Sequence, residues 1–66
     1  MQPHEQRVVD EATELNIKID KLVGFTTTAM FRSLPSEEQK LFAAQGLAMS
    51  MYLVALERRI ERFTKG

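Results

Sequence analysis

Two apolar stripes separated by a single interruption constrain this chain most. From Pro3 to Val23, the residues Val8, Ala12, Leu15, Ile19 and Leu22 recur in steps of four and three. That spacing lines side chains along one face of a helix. The same rhythm returns after Leu34 in Phe42, Gly46, Met49, Leu53, Leu56, Ile60 and Phe63. No stretch of useful length alternates with the period of two that a half-buried strand needs. The chain therefore reads as all-α, with two long helices and one connector, GFTTTAMFRSLP at 24–35.

The ends of both segments carry helix punctuation. Pro3 suits the first turn, where a missing N–H is no loss, and Gly24 suits a left-handed C-terminal position. In Leu34-Pro35-Ser36-Glu37-Glu38-Gln39, Ser36 and Gln39 have the spacing of a capping box, with two acids in the first turn. These signals predict helices over about 3–23 and 36–63 within a single domain, 1–66. Phe25, Met30, Phe31 and Leu34 are expected to cap the hydrophobic seam, with Thr26 to Arg32 as a short third helix or a turn. Two long helices joined by so short a connector pack antiparallel, as a hairpin.

At 66 residues, a single domain hides only roughly 60% of the surface its unfolded chain exposes. Such a core needs a supplement. Disulfides are ruled out by the absence of Cys, and one His without Cys partners is a poor metal set. Four Met and four Phe in so short a chain point instead to a homo-oligomer, and Ile17, roughly opposite Leu15 on the helix, is a candidate for contact with a second subunit. No apolar run approaches the ~20 residues needed to span a bilayer. The N-terminus, with Glu5 and Asp10, lacks the basic and apolar regions of a signal peptide. The expectation is a soluble, intracellular chain with no membrane partner. Nine acidic and nine basic side chains cancel, which argues against duplex nucleic acid as a partner. No cofactor motif is present.

Beside the apolar stripe of the first helix runs a polar one: His4, Arg7, Glu11, Glu14, Lys18 and Lys21. It reads as a solvated face with pairs such as Glu14 and Lys18 at i,i+4, or as a ligand face. The last helix has a companion stripe of Leu41, Gln45, Ala48, Tyr52, Ala55, Arg59 and Arg62. Its small residues permit close approach, Tyr52 offers a ring, and the arginines offer forks for phosphate. The plainer reading makes Tyr52 a partly buried core aromatic and the arginines, with Arg58 and Lys65, complements to the helix dipole. His4 lacks a nucleophile and an orienting acid, so no catalytic residue is assigned. Gly24 followed by Thr26, Thr27 and Thr28 can offer donors to an anion, yet Thr is equally an ordinary cap, and no GxxxxGK[ST] pattern accompanies it.

Together, QRVVDEATELNIKIDKLVGF, FRSLPSEEQKLFAAQ and MYLVALERRIERF resemble the small phage proteins that sequester cyclic oligonucleotide signals, the sponges directed against CBASS immunity. The resemblance covers about residues 4–63. It implies a compact helical subunit forming a hexamer, with pockets between protomers, in the cytoplasm of an infected bacterium. It also implies cyclic dinucleotide ligands and, at separate sites, cyclic trinucleotides, such as cyclic GMP-AMP or cyclic tri-adenylate, held intact. Carried over, the KIDKL stretch supplies Lys21 with Lys18 as its neighbour, and RRIER supplies Arg59 or Arg62. His4 and Arg7 lie where the family places a ring or polar side chain, and since no Tyr stands there, Tyr52 or His4 would stack on a base. Thr26 and Thr28 complete the candidate set. The other reading is a helical oligomerisation or protein-interaction module with no small ligand.

Overall fold

A computed structural model describes residues 1–64. The chain forms three helices: α1, Pro3–Thr26; α2, Ala29–Arg32; and α3, Ser36–Thr64. The two long helices, of 24 and 29 residues, pair as an antiparallel hairpin, with α2 inside the turn. Lys65, counted in the basic C-terminal cluster, lies outside the described residues.

α1 starts as its sequence suggests. Pro3 occupies the first turn, and the Glu5 carboxylate accepts a hydrogen bond from the Gln2 N–H at 2.8 Å. Its end differs from expectation, because the helix continues through Gly24 to Thr26 and no glycine has a positive φ. Hydroxyl chemistry closes the helix in place of glycine. Thr26, Thr27 and Thr28 each donate through Oγ1 to the carbonyl three residues back, on Val23, Gly24 and Phe25, at 2.6, 2.7 and 2.7 Å. The Thr27 and Thr28 N–H groups bond to the Gly24 and Phe25 carbonyls as well, so the carbonyls of Val23, Gly24 and Phe25, normally orphaned at a helix end, are satisfied. Thr28 then caps α2, its Oγ1 accepting from the Phe31 N–H at 3.2 Å.

Since Gly24 is helical and a Cβ there would meet nothing within 4 Å, Gly24→Ala should raise stability by about 0.5–1 kcal/mol through a less flexible unfolded chain. Thermal denaturation is the check. A lowered melting temperature would show that another surface approaches this glycine closely.

The start of α3 also departs from the sequence pattern. Ser36 lies within the first turn, and the carbonyl of Pro35 accepts from the Gln39 N–H at 3.1 Å, which is the N-cap role. The Gln39 side chain turns back to donate to the carbonyls of Arg32 and Leu34 at 3.3 and 2.9 Å. It ties down the connector rather than completing a box with Ser36. Phe25, Phe31 and Phe42 form a mutual cluster with ring centroids 5.2–5.9 Å apart, in the tilted and edge-on arrangements that aromatic quadrupoles favour. Leu34 is half-buried with them, whereas Met30, expected in the cap, is 68% exposed.

Between α1 and α3 the core is thin. Val8, Ala12, Leu15 and Leu56 are buried, with Ile19, Met49, Leu53, Ile60 and Phe63 packed against them. Gly46 allows the close crossing, since a Cβ there would lie 3.3 Å from Leu22 Cδ2. The hairpin measures 48 × 15 × 14 Å. Its radius of gyration of 15.1 Å exceeds the roughly 11 Å of a compact chain of this length. Its surface of 5186 Å² is about 900 Å² more than a compact monomer of this mass would expose. Ile17, Val23, Leu41, Leu47, Met51 and Val54 remain exposed.

Candidate functional site

Two contacts set the register of the hairpin. Tyr52 Oη donates to Glu11 Oε2 across the helices, and Gly46 abuts Leu22. Antiparallel pairing then places Arg7 level with residues 56–61 and Lys21 level with residues 42–47. The candidate residues divide into two groups. His4, Arg7, Arg59 and Arg62 gather at the open end, while Lys18, Lys21, Thr26 and Thr28 lie toward the connector. Lys21 and Arg59 are separated along the axis by about 20 Å at 1.5 Å of rise per residue. One protomer therefore does not bring its lysines and its terminal arginines to a single small ligand.

All the cations of this set, with His4, are exposed, and among the described residues none of Arg7, Lys18, Lys21, Arg59 and Arg62 is held in an ion pair. Among the described residues the expected Glu14–Lys18 pair is not made; the i,i+4 side-chain contacts on this helix include hydrogen bonds from Gln6 Nε2 to Asp10 Oδ1 at 2.9 Å and from Thr13 Oγ1 to the Val9 carbonyl at 3.0 Å. Free ammonium and guanidinium groups on a solvated face have their donors available for phosphate. Tyr52 is less free. Its hydroxyl proton is committed to Glu11, though the residue is still 46% exposed. The three threonine hydroxyls have spent their protons on α1 carbonyls, leaving acceptor lone pairs on Thr26 and Thr27 and less on Thr28.

On the opposite flank an open groove of about 300 Å³ runs between Val9, Thr13 and Asn16 of α1 and Leu53, Glu57 and Ile60 of α3. None of the candidate residues lines it. Two features were missed in the sequence. Glu11 was visible only as one member of a polar stripe, and its pairing with Tyr52 depends on the hairpin register. A second four-three series on α3, Lys40, Ala44, Leu47, Met51, Val54 and Arg58, was available from periodicity but was hidden by the stronger seam beside it. Among the described residues no helix is long and apolar enough to cross a membrane.

These features define a small all-helical hairpin protein with a thin core, much exposed apolar surface and a face of unpaired cations. The chain belongs to the Sequestin family, whose profile matches residues 2–62. It is also 35% identical over 63 residues to a phage T4 protein, the 7.5 kDa protein of the denB–rIIB intergenic region, a match spanning 96% of this chain and 98% of the T4 protein. No solved structure matches the chain significantly.

Proposed function

We propose that this protein is a phage sponge that binds cyclic dinucleotides, and at further sites cyclic trinucleotides, and holds them intact so that a CBASS-type host effector is deprived of its signal. Membership of the Sequestin family across nearly the whole chain carries this reading. The chemistry of the face supports it. Two phosphodiesters carry about two negative charges, and charge-assisted bonds of about 1.5–3 kcal/mol each make a few lysines and arginines decisive. Lys18, Lys21, Arg59 and Arg62 hold phosphate in this reading, with Arg7 in support. Tyr52 or His4 stacks on a base, and Thr26 and Thr28 accept from sugar or base edges. Because the two cation groups lie at different levels of the hairpin, the sites are completed by a second protomer, consistent with a homo-oligomer such as a hexamer in the host cytoplasm.

Ligand retention tests the proposal. Purified protein is mixed with a panel of cyclic di- and trinucleotides, washed by filtration and heat-denatured, and the released material is chromatographed. An intact cyclic nucleotide is the expected product. A cleaved product would make the protein an enzyme, and an empty filtrate would leave a helical interaction module.

A further inference from the structure

Both polar stripes precede the apolar seam by one position. The positions that follow the seam by one make the other flank: Val9, Thr13, Asn16, Asp20 and Val23 on α1, and Leu47, Ser50, Val54, Glu57 and Glu61 on α3. In an antiparallel pair these two rows emerge on the same side. There the groove of about 300 Å³ opens, with Ala12, Leu53 and Ile60 as its floor and Thr13, Asn16 and Glu57 at its rim.

The net charge of zero conceals a separation. Among the described residues this flank carries Asp20, Glu57 and Glu61 with no lysine or arginine, while Arg7, Lys18, Lys21, Arg59 and Arg62 stand with the opposite stripes. Asp20 and Glu57 are exposed, and neither has a hydrogen bond or ion pair among the described residues. The groove is therefore apolar at its base and anionic at its edge.

We propose that this groove docks a basic amphipathic helix of another protein, with its apolar stripe on Ala12, Leu53 and Ile60 and its lysines or arginines against Glu57 and Asp20. Shape selects a helix. Two antiparallel helices with an open flank offer the seat of a third, the arrangement of helix-in-groove recognition. The walls from Val9 to Asn16 and from Leu53 to Ile60 run about 10 Å, and apolar flank residues continue through Val54 and Leu47 to Val23, roughly 20 Å from Val9 at 1.5 Å per residue. That length seats about fourteen helical residues. Val23, Leu47 and Val54 are all exposed.

Charge selects a basic occupant, because carboxylates without partners at the edge of an apolar groove guide and orient cations. It also disfavours a second copy. The cations of this chain alternate with Glu11 and Glu14 on α1, and the outer apolar stripe of α3, Leu47, Met51 and Val54, has cations only at its two ends, Lys40 and Arg58. Neither face is an apolar stripe bordered by a row of cations. Because the groove and the cationic face lie on opposite flanks, both can be occupied at once.

Two fluorescein-labelled synthetic peptides serve as probes, sharing one helical leucine stripe and carrying lysine or glutamate at the remaining positions. Fluorescence polarisation with the unaltered protein should show saturable binding of the lysine peptide and none of the glutamate peptide. Glu57→Lys should weaken the lysine peptide about tenfold, whereas Glu14→Lys, the same charge change on the opposite flank, should weaken it less than about twofold. Asn16→Trp, which fills the groove without altering charge, should act as strongly as Glu57→Lys, with circular dichroism showing each variant folded. No binding by the unaltered protein, equal binding of the two peptides, or equal losses for Glu57→Lys and Glu14→Lys would overturn the proposal. So would a lower sedimentation coefficient for Asn16→Trp, which would make the groove a contact between copies. These measurements stand apart from the sponge reading, which fails by itself if the unaltered protein retains no nucleotide.

Discussion

Leu56→Ala is expected to remove most of the stability of the hairpin. Leu56 is the one large side chain with no exposed surface among the described residues, and it is the contribution of α3 to a buried set otherwise drawn from α1. A Leu→Ala change in a packed core costs about 2–5 kcal/mol, the higher figure where neighbours cannot collapse into the space. For a chain of this length total stability is on the order of 3–10 kcal/mol. Two helices meeting along a single seam have few neighbours able to refill the gap. Urea denaturation followed by circular dichroism is the check, and the midpoint should fall sharply with little change in slope. A loss below about 1 kcal/mol would mean that the α1–α3 seam is not what holds the protein together, and that assembly supplies its stability.

Lys21→Ala should weaken retention of a cyclic dinucleotide by roughly 10- to 100-fold, the equivalent of one charge-assisted hydrogen bond. Lys21 is exposed and outside the buried set, so the variant should fold and assemble as the parent does. Calorimetric titration alongside sedimentation separates the two effects. Unchanged affinity would remove Lys21 from the site, and a changed sedimentation coefficient would give it a part in assembly instead. Salt supplies a second handle: exposed cations are screened within about 8–10 Å at physiological ionic strength, so affinity of the parent should fall as salt rises, and less steeply in the variant.

Much of the architecture was legible in the sequence because helix periodicity is a local property. Val8, Ala12 and Leu15, and Leu53, Leu56 and Ile60, had to share a face once the backbone turned 100° per residue, and burying both faces required an antiparallel partner. The phenylalanines flanking the threonines had to close the end of that seam for the same reason. The resemblance carried in QRVVDE, KIDKLVGF and ERRI reached the family that the comparison then supplied. By contrast, single polar side chains were legible only as alternatives, because each has several partners of nearly equal strength and through-space geometry chooses among them. Gly24 could end a helix or continue one, and three threonine hydroxyls able to cap the carbonyls behind them let it continue. Gln39 could complete a box or reach back, and the carbonyls of Arg32 and Leu34 were nearer.

What the sequence determined by itself is the pair of helices, the seam between them and the stock of exposed cations, all of which follow from a repeat of 3.6 residues and a count of charges. The tertiary structure alone decided how far apart those cations stand. Register is a relation between residues distant in the chain, seen in Tyr52 reaching Glu11 across 41 positions, and no local pattern encodes it. In a rod 48 Å long, that register places the lysines and the terminal arginines at different levels, so a charge set that looked like one group in the sequence stands, on a single protomer, as two separate groups.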